Sequence, residues 1–279
     1  MSGSIVAGTV WLLGVAAAGT ALVAWLPGSK LYGAWQARSE EAGKAADGAI
    51  EDVGRVVTAA VVILAGWAFA IITCWVLGLL AHRLEPVVDR PVFDWFAARQ
   101  VGGWTQIWHV LTQIGNRPET QALTVVGAVV FALLLGRGRW WIPLTLLPVG
   151  YLLEKFGGQI LKQMVDRGHP PTTLGTWVSG GCARLVVVYG LLIFFGLRWR
   201  RVKSRRVKVS AWSALAFLAA VEAYSRTYLL KHWVTDVVGG LVFGTMILLV
   251  VIMAALVLDR VPRGSQAIPE AMAEKDATH

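Results

Sequence analysis

"YSRTYLLKHWVTDVVGGLVFGTMILLVVIMAALVL", residues 224–258, decides the fold. From Trp233 to Leu258 the only charged residue is Asp236. About 20 such residues in helical form cross the roughly 30 Å hydrocarbon layer of a bilayer. Yet Arg226, Lys231, His232 and Asp236 crowd the entrance to this run. Ionisable groups at membrane depth are costly, so a cluster of them is read first as a functional site.

Working outward, the same pattern recurs. Apolar runs at about 4–26, 56–81, 120–136, 140–161, 180–197, 209–230 and 233–258 predict an all-α polytopic membrane bundle of about seven transmembrane helices. A mean hydropathy of +0.59 with only 15% charged residues agrees with a membrane protein rather than a soluble domain. A membrane β-barrel would instead show alternating segments of about 10 residues, which do not occur here. The expected organisation is an extra N-terminal helix (1–27), a cytoplasmic amphipathic or linker segment (28–55), a membrane domain (56–258) and a disordered cytoplasmic tail (259–279). The two cysteines, Cys74 and Cys182, lie in apolar runs without metal-ligand spacing and read as small buried side chains.

The formal charge of +9 suggests nucleic acid until its distribution is read. Seven cations lie in "RWRRVKSRRVK" (198–208), between two apolar runs. That is the pattern that holds a loop on the cytoplasmic side. It argues against a nucleic-acid partner and for membrane lipids. With "GRGR" (136–139) on the same side, residues 82–119, 162–179 and 231–232 face outward from the plasma membrane. In 82–119 a helix or two should lie along the interface, anchored by Trp95, Trp104 and Trp108. Most other tryptophans, Trp233 among them, sit near span ends and read as an interfacial belt.

The remaining unusual residues gather on the outer side. Lys162, Arg167 and His169 occur in "LKQMVDRGHPP", and Ser179, Gly180, Gly181 and Arg184 in "WVSGGCAR". The third group is Ser225, Arg226, His232 and Asp236. Lys162, Arg167 and Arg226 are suited to an oxyanion, above all phosphate. "SGG" opens a helix, where free N–H groups and the helix dipole favour an anion. His232 and Asp236, four apart, share a helix face, and a carboxylate on one ring nitrogen leaves the other free as nucleophile or base. A metal there would be repelled by the cations, so neither metal nor other cofactor is expected. Glu154, Lys155 and Glu222, inside spans, are expected to pair between helices.

These residues resemble the motifs of the type 2 phosphatidic acid phosphatases, the membrane branch of a superfamily that includes vanadium haloperoxidases. That family carries Lys-x6-Arg-Pro, Pro-Ser-Gly-His and Ser-Arg-x5-His-x3-Asp. This chain has Lys162-x6-His169-Pro170, Val178-Ser179-Gly180-Gly181 and Ser225-Arg226-x5-His232-x3-Asp236. The third motif is complete. The resemblance covers about 56–258 and implies a six-helix core and a metal-free phosphatase acting on a lipid or polyprenyl (di)phosphate. It implies His232 as the nucleophile that becomes a phosphohistidine, Asp236 as its orienting carboxylate, and Lys162, Arg226, Ser179 and Gly180 as the phosphate cradle. Gly181 stands where the family places the histidine that protonates the leaving alcohol, and His169 where it places an arginine. His169 could serve as both phosphate ligand and acid. A protein that binds or carries lipid phosphates, and a phosphotransferase, are the alternatives. The resemblance leaves the oligomeric state open.

Overall fold

The computed structural model describes residues 54–136, 138–171 and 176–259. The expected helix at 1–27, nearly all of the 28–55 segment and the tail beyond Asp259 lie outside those residues. The described chain is helical throughout: α1 (Arg55–Leu84), α2 (Arg90–Ala97), α3 (Gly102–Leu111), α4 (Arg117–Leu135), α5 (Trp141–Val165), α6 (Gly180–Trp199), α7 (Arg205–Tyr228) and α8 (Val234–Leu258). A π-helical turn, Glu85–Asp89, links α1 to α2, and a 3-10 turn, Thr112–Gly115, precedes α4. Proline at α4's second position costs no helical hydrogen bond, because that N–H has no partner in the first turn.

Six of these helices, α1 and α4 to α8, follow the expected spans to within a few residues. Among the described residues, five stretches are long and apolar enough to cross a membrane by length and composition: Arg55–Ala97, Gly102–Leu135, Gly180–Trp199, Arg205–Tyr228 and Val234–Leu258. Helix α5 has the length but carries Glu154, Lys155 and Lys162. It packs against α1, α4, α6 and α8, so its polar residues can face the bundle interior rather than lipid. The outer helices show the converse. Leu64 and Phe69 of α1 and Leu133 of α4 are more than half exposed, as expected of side chains that meet acyl chains. The protein is a multi-pass membrane protein.

Helix α8 packs chiefly on α1 and α6. Two glycines let it approach α6: a Cβ would fall 2.4 Å from the Ser179 carbonyl oxygen at Gly240 and 2.6 Å from the Ala183 carbonyl oxygen at Gly244. The tight seam brings the start of α8, with Asp236, beside the start of α6. At the opposite end of the bundle Asp259 pairs with Arg139, at 2.9 Å, and with Arg198, joining the end of α8 to both basic turns.

The 85–116 region differs from a set of headgroup anchors. Trp95 is exposed, but Trp108 is only 2% exposed and packs on Tyr224 of α7, with ring centroids 4.5 Å apart. Phe96 and Trp104 complete this cluster around Tyr224 and Tyr228. Gln100 donates to the Tyr228 carbonyl at 2.7 Å. Trp233 is likewise buried rather than part of a belt, against Phe93. Spacing shows that an aromatic lies near a membrane boundary, but not that a neighbouring helix covers it.

Candidate active site

Four helix ends meet at one end of the bundle: the end of α5, the start of α6, the end of α7 and the start of α8. Asp236, in the first turn of α8, is fully buried. One carboxylate oxygen accepts from the Trp233 N–H at 3.2 Å, and the other from Arg167 at 3.0 Å. His232 Nδ1 lies 3.6 Å from the first of these oxygens. Catalytic hydrogen bonds often tighten only when substrate fills a site, so this spacing suits an orienting pair. The Trp233 indole donates to the Gly168 carbonyl at 3.0 Å, tying the loop that carries His169 to the residue next to His232. His169 itself is exposed, with Nδ1 2.8 Å from the Pro170 carbonyl oxygen.

Arg167 is placed differently from the expectation of a phosphate ligand. Asp166 ends α5 in the left-handed conformation (φ 36°), which a short polar side chain tolerates. The guanidinium of the next residue then enters the protein, where its side chain is fully buried. It pairs with Asp89 and Asp236 and donates to Thr235 Oγ1. Asp89 also accepts from the Thr235 N–H at 2.9 Å and from its hydroxyl at 2.8 Å. Arg167 is spent on carboxylates, and its work is to hold Asp236. Nothing local in the sequence marks Asp89 as its partner.

Arg226 lies at the end of α7. Its Nε donates to Glu222 at 2.6 Å, and its Nη2 to Asn116 Oδ1 at 2.9 Å and to the Thr112 carbonyl at 3.3 Å. Arg184, one turn into α6, sits 3.6 Å from Glu154 and donates to the Gly115 carbonyl. The span carboxylates are therefore paired, Glu154 between helices as expected but Glu222 within its own helix. Ser179 is buried at the N-cap of α6, and its N–H donates to the Asp236 carbonyl. The N–H groups of Gly180 and Gly181 follow, at positions that have no partner within the helix. Lys162 is exposed in the last turn of α5. Arg117, which the sequence reading passed over, opens α4 near Glu154, Lys162 and Arg184.

His232 senses this surrounding charge. Burial holds its pKa below the ordinary imidazole range; Asp236 opposes the shift, and Arg226 and Lys162 add to it. A nucleophilic imidazole must be neutral. The acid limb of the kcat/KM profile for phosphate release is therefore expected below the ordinary histidine value of about 6.5. A limb above 7 that moves in His232 variants would contradict this reading.

The glycine at 181 is more than a missing histidine. A Cβ there would lie 2.6 Å from Arg226 Nη2 and 2.7 Å from Glu222 Oε1. The Arg226–Glu222 pair occupies the space of a 181 side chain. Gly181→His should therefore lower both thermal stability and activity, with an overpacking cost of about 1–3 kcal/mol. A thermal midpoint and turnover at or above wild type would show that the pair yields easily.

The class is set by these features: a membrane helix bundle of phosphatase type, with a His–Asp pair among cations where its helix ends meet. Residues 122–258 match the family model described as the PAP2 superfamily, which supports assigning the chain to it. Among solved structures the fold is similar to that of a transmembrane PAP2-type phosphatidylglycerolphosphate phosphatase from Bacillus subtilis. The TM-score is 0.59 at 18% identity, covering 67% of this chain and 94% of the other. A comparison with curated proteins finds no match.

Proposed function

We propose that the protein dephosphorylates a lipid or polyprenyl (di)phosphate at the outer face of the membrane. His232 attacks phosphorus and carries the phosphoryl group as a phosphohistidine; Asp236 orients it. Lys162, Arg226, Ser179 and the N–H groups of Gly180 and Gly181 bind the phosphate oxygens, and His169 borders the entrance. Catalysis is then mainly stabilisation of charge on the transferring phosphoryl group. The observation that carries this reading is His232, with Asp236 behind it, under the joint influence of Arg226 and Lys162. No metal ligand is called for in this scheme, and no cluster of three or more His, Cys, Asp or Glu suited to a metal occurs among the described residues.

One observation favours a second reading, a protein that binds lipid phosphate without cleaving it. Arg226 is already paired with Glu222, and Gly181 offers no side-chain proton. The deciding measurement is phosphate release by the purified protein in detergent. The panel comprises phosphatidic acid, a polyprenyl phosphate, a polyprenyl diphosphate and phosphatidylglycerolphosphate, the lipid named for the similar structure. Release from at least one supports the phosphatase. Tight binding with no release from any supports the carrier.

A further inference from the structure

Gly181 is not the only glycine facing Glu222. A Cβ on Gly115, at the end of the 3-10 turn, would lie 2.3 Å from Glu222 Oε1 and 2.6 Å from its Cδ. Two missing side chains, from different elements, thus form a slot, and the Glu222 carboxyl fills it. Glu222 is fully buried. One oxygen takes the Arg226 hydrogen bond; the other, Oε2, has no hydrogen-bond partner among the described residues. A carboxylate oxygen left unpaired at such burial is costly unless it carries a proton or meets a ligand.

We infer that Glu222 is the acid that protonates the leaving alcohol, in the place where the second motif offers glycine. The inference rests on the phosphatase reading above. In the resting protein Arg226 neutralises Glu222. An arriving phosphate competes for the guanidinium, and two negative groups in one buried pocket do not both stay ionised, so the carboxyl takes up a proton. His232 then forms the N–P bond as the P–O bond to the alcohol breaks, and the Glu222 proton passes to the departing oxygen. In the second half a water molecule gives a proton to the Glu222 carboxylate and its oxygen bonds to phosphorus. The N–P bond breaks, and free phosphate and neutral His232 are restored. Protons balance over the cycle without a further co-reactant. His169 is the rival donor, but it is exposed and already engaged with the Pro170 carbonyl, whereas Glu222 touches the Arg226 that binds the phosphate.

The test is leaving-group dependence, measured on the full chain. An alkoxide departs from phosphatidic acid only with a proton, whereas p-nitrophenolate departs without one. Glu222→Gln keeps the shape and an acceptor for Arg226 but cannot supply the acidic proton. It is expected to slow phosphate release from phosphatidic acid by about 10²–10⁴-fold while leaving the first-turnover burst of p-nitrophenolate from p-nitrophenyl phosphate nearly intact, because the burst reports only the half-reaction that needs no acid. Glu222→Asp is expected to recover much of the phosphatidic acid rate. Equal losses in phosphatidic acid turnover and in the p-nitrophenolate burst, in Gln and Asp alike, would assign Glu222 a purely structural role and overturn the inference. So would an unaffected Gln variant, or the selective loss appearing in His169→Ala instead. If the wild type releases phosphate from neither ester nor from the lipid panel, it is the phosphatase reading that fails, and the inference falls with it.

Discussion

His232→Ala is expected to reduce phosphate release from the preferred lipid phosphate by about 10⁴-fold or more, while lipid phosphate binding persists. The size follows from the role: a side chain that forms the covalent intermediate has no substitute within reach, and removing a nucleophile costs most of the chemical step. The binding cations, Lys162 and Arg226, remain, so affinity should fall far less than turnover. Acid-labile phosphate should be trapped on wild-type protein during turnover and be missing from the variant. Turnover within tenfold of wild type would remove His232 from the chemistry, whatever the resemblance of its motif.

Arg167→Met should be the most disruptive substitution in the clasp behind the nucleophile. The methionine fills much of the space but leaves Asp89 and Asp236 facing each other without the cation between them. Removing one partner from a buried ionic cluster typically costs about 3–5 kcal/mol, because the remaining charge stays desolvated. The thermal midpoint in detergent should drop, and activity should fall with it because Asp236 loses the hydrogen bond that fixes one of its oxygens. Asp89→Asn should be milder, since an amide oxygen can still accept from Arg167 and from Thr235. A stable Arg167→Met protein with normal turnover would mean that the Trp233 N–H alone positions Asp236.

Much of this architecture is legible in the sequence, for a physical reason. Membrane helices must satisfy their own backbone and present apolar side chains to lipid, so each span is written locally as a run of residues. Helices α1 and α4 to α8 follow those runs. The His232–Asp236 pair is local too, four residues apart, although His232 lies in the bend before α8 and not on a shared helix face as the spacing suggests. What local spacing does not contain is the partner brought in by tertiary packing. Asp89 lies at the end of a π-helical turn 78 residues before Arg167. Nothing but the assembled bundle shows that Arg167 pairs with two carboxylates of the protein, Asp89 and Asp236. Glu222 reads in the sequence as a span acid that pairs between helices; its pairing with Arg226 of its own helix, and Gly115 and Gly181 beside it, belong to the packed structure. Trp108 shows the same limit from the apolar side: its placement at a boundary was readable, but the Tyr224 ring covering it was not.

The clasp also has a direction in time. Asp89, Arg167 and Asp236 leave the ribosome in that order, and the last belongs to the final described helix. Until α8 is made, Arg167 has one of its two carboxylates, and Asp236 is still missing. A polypeptide released early therefore lacks both members of the proposed catalytic pair, His232 just before α8 and Asp236 in its first turn.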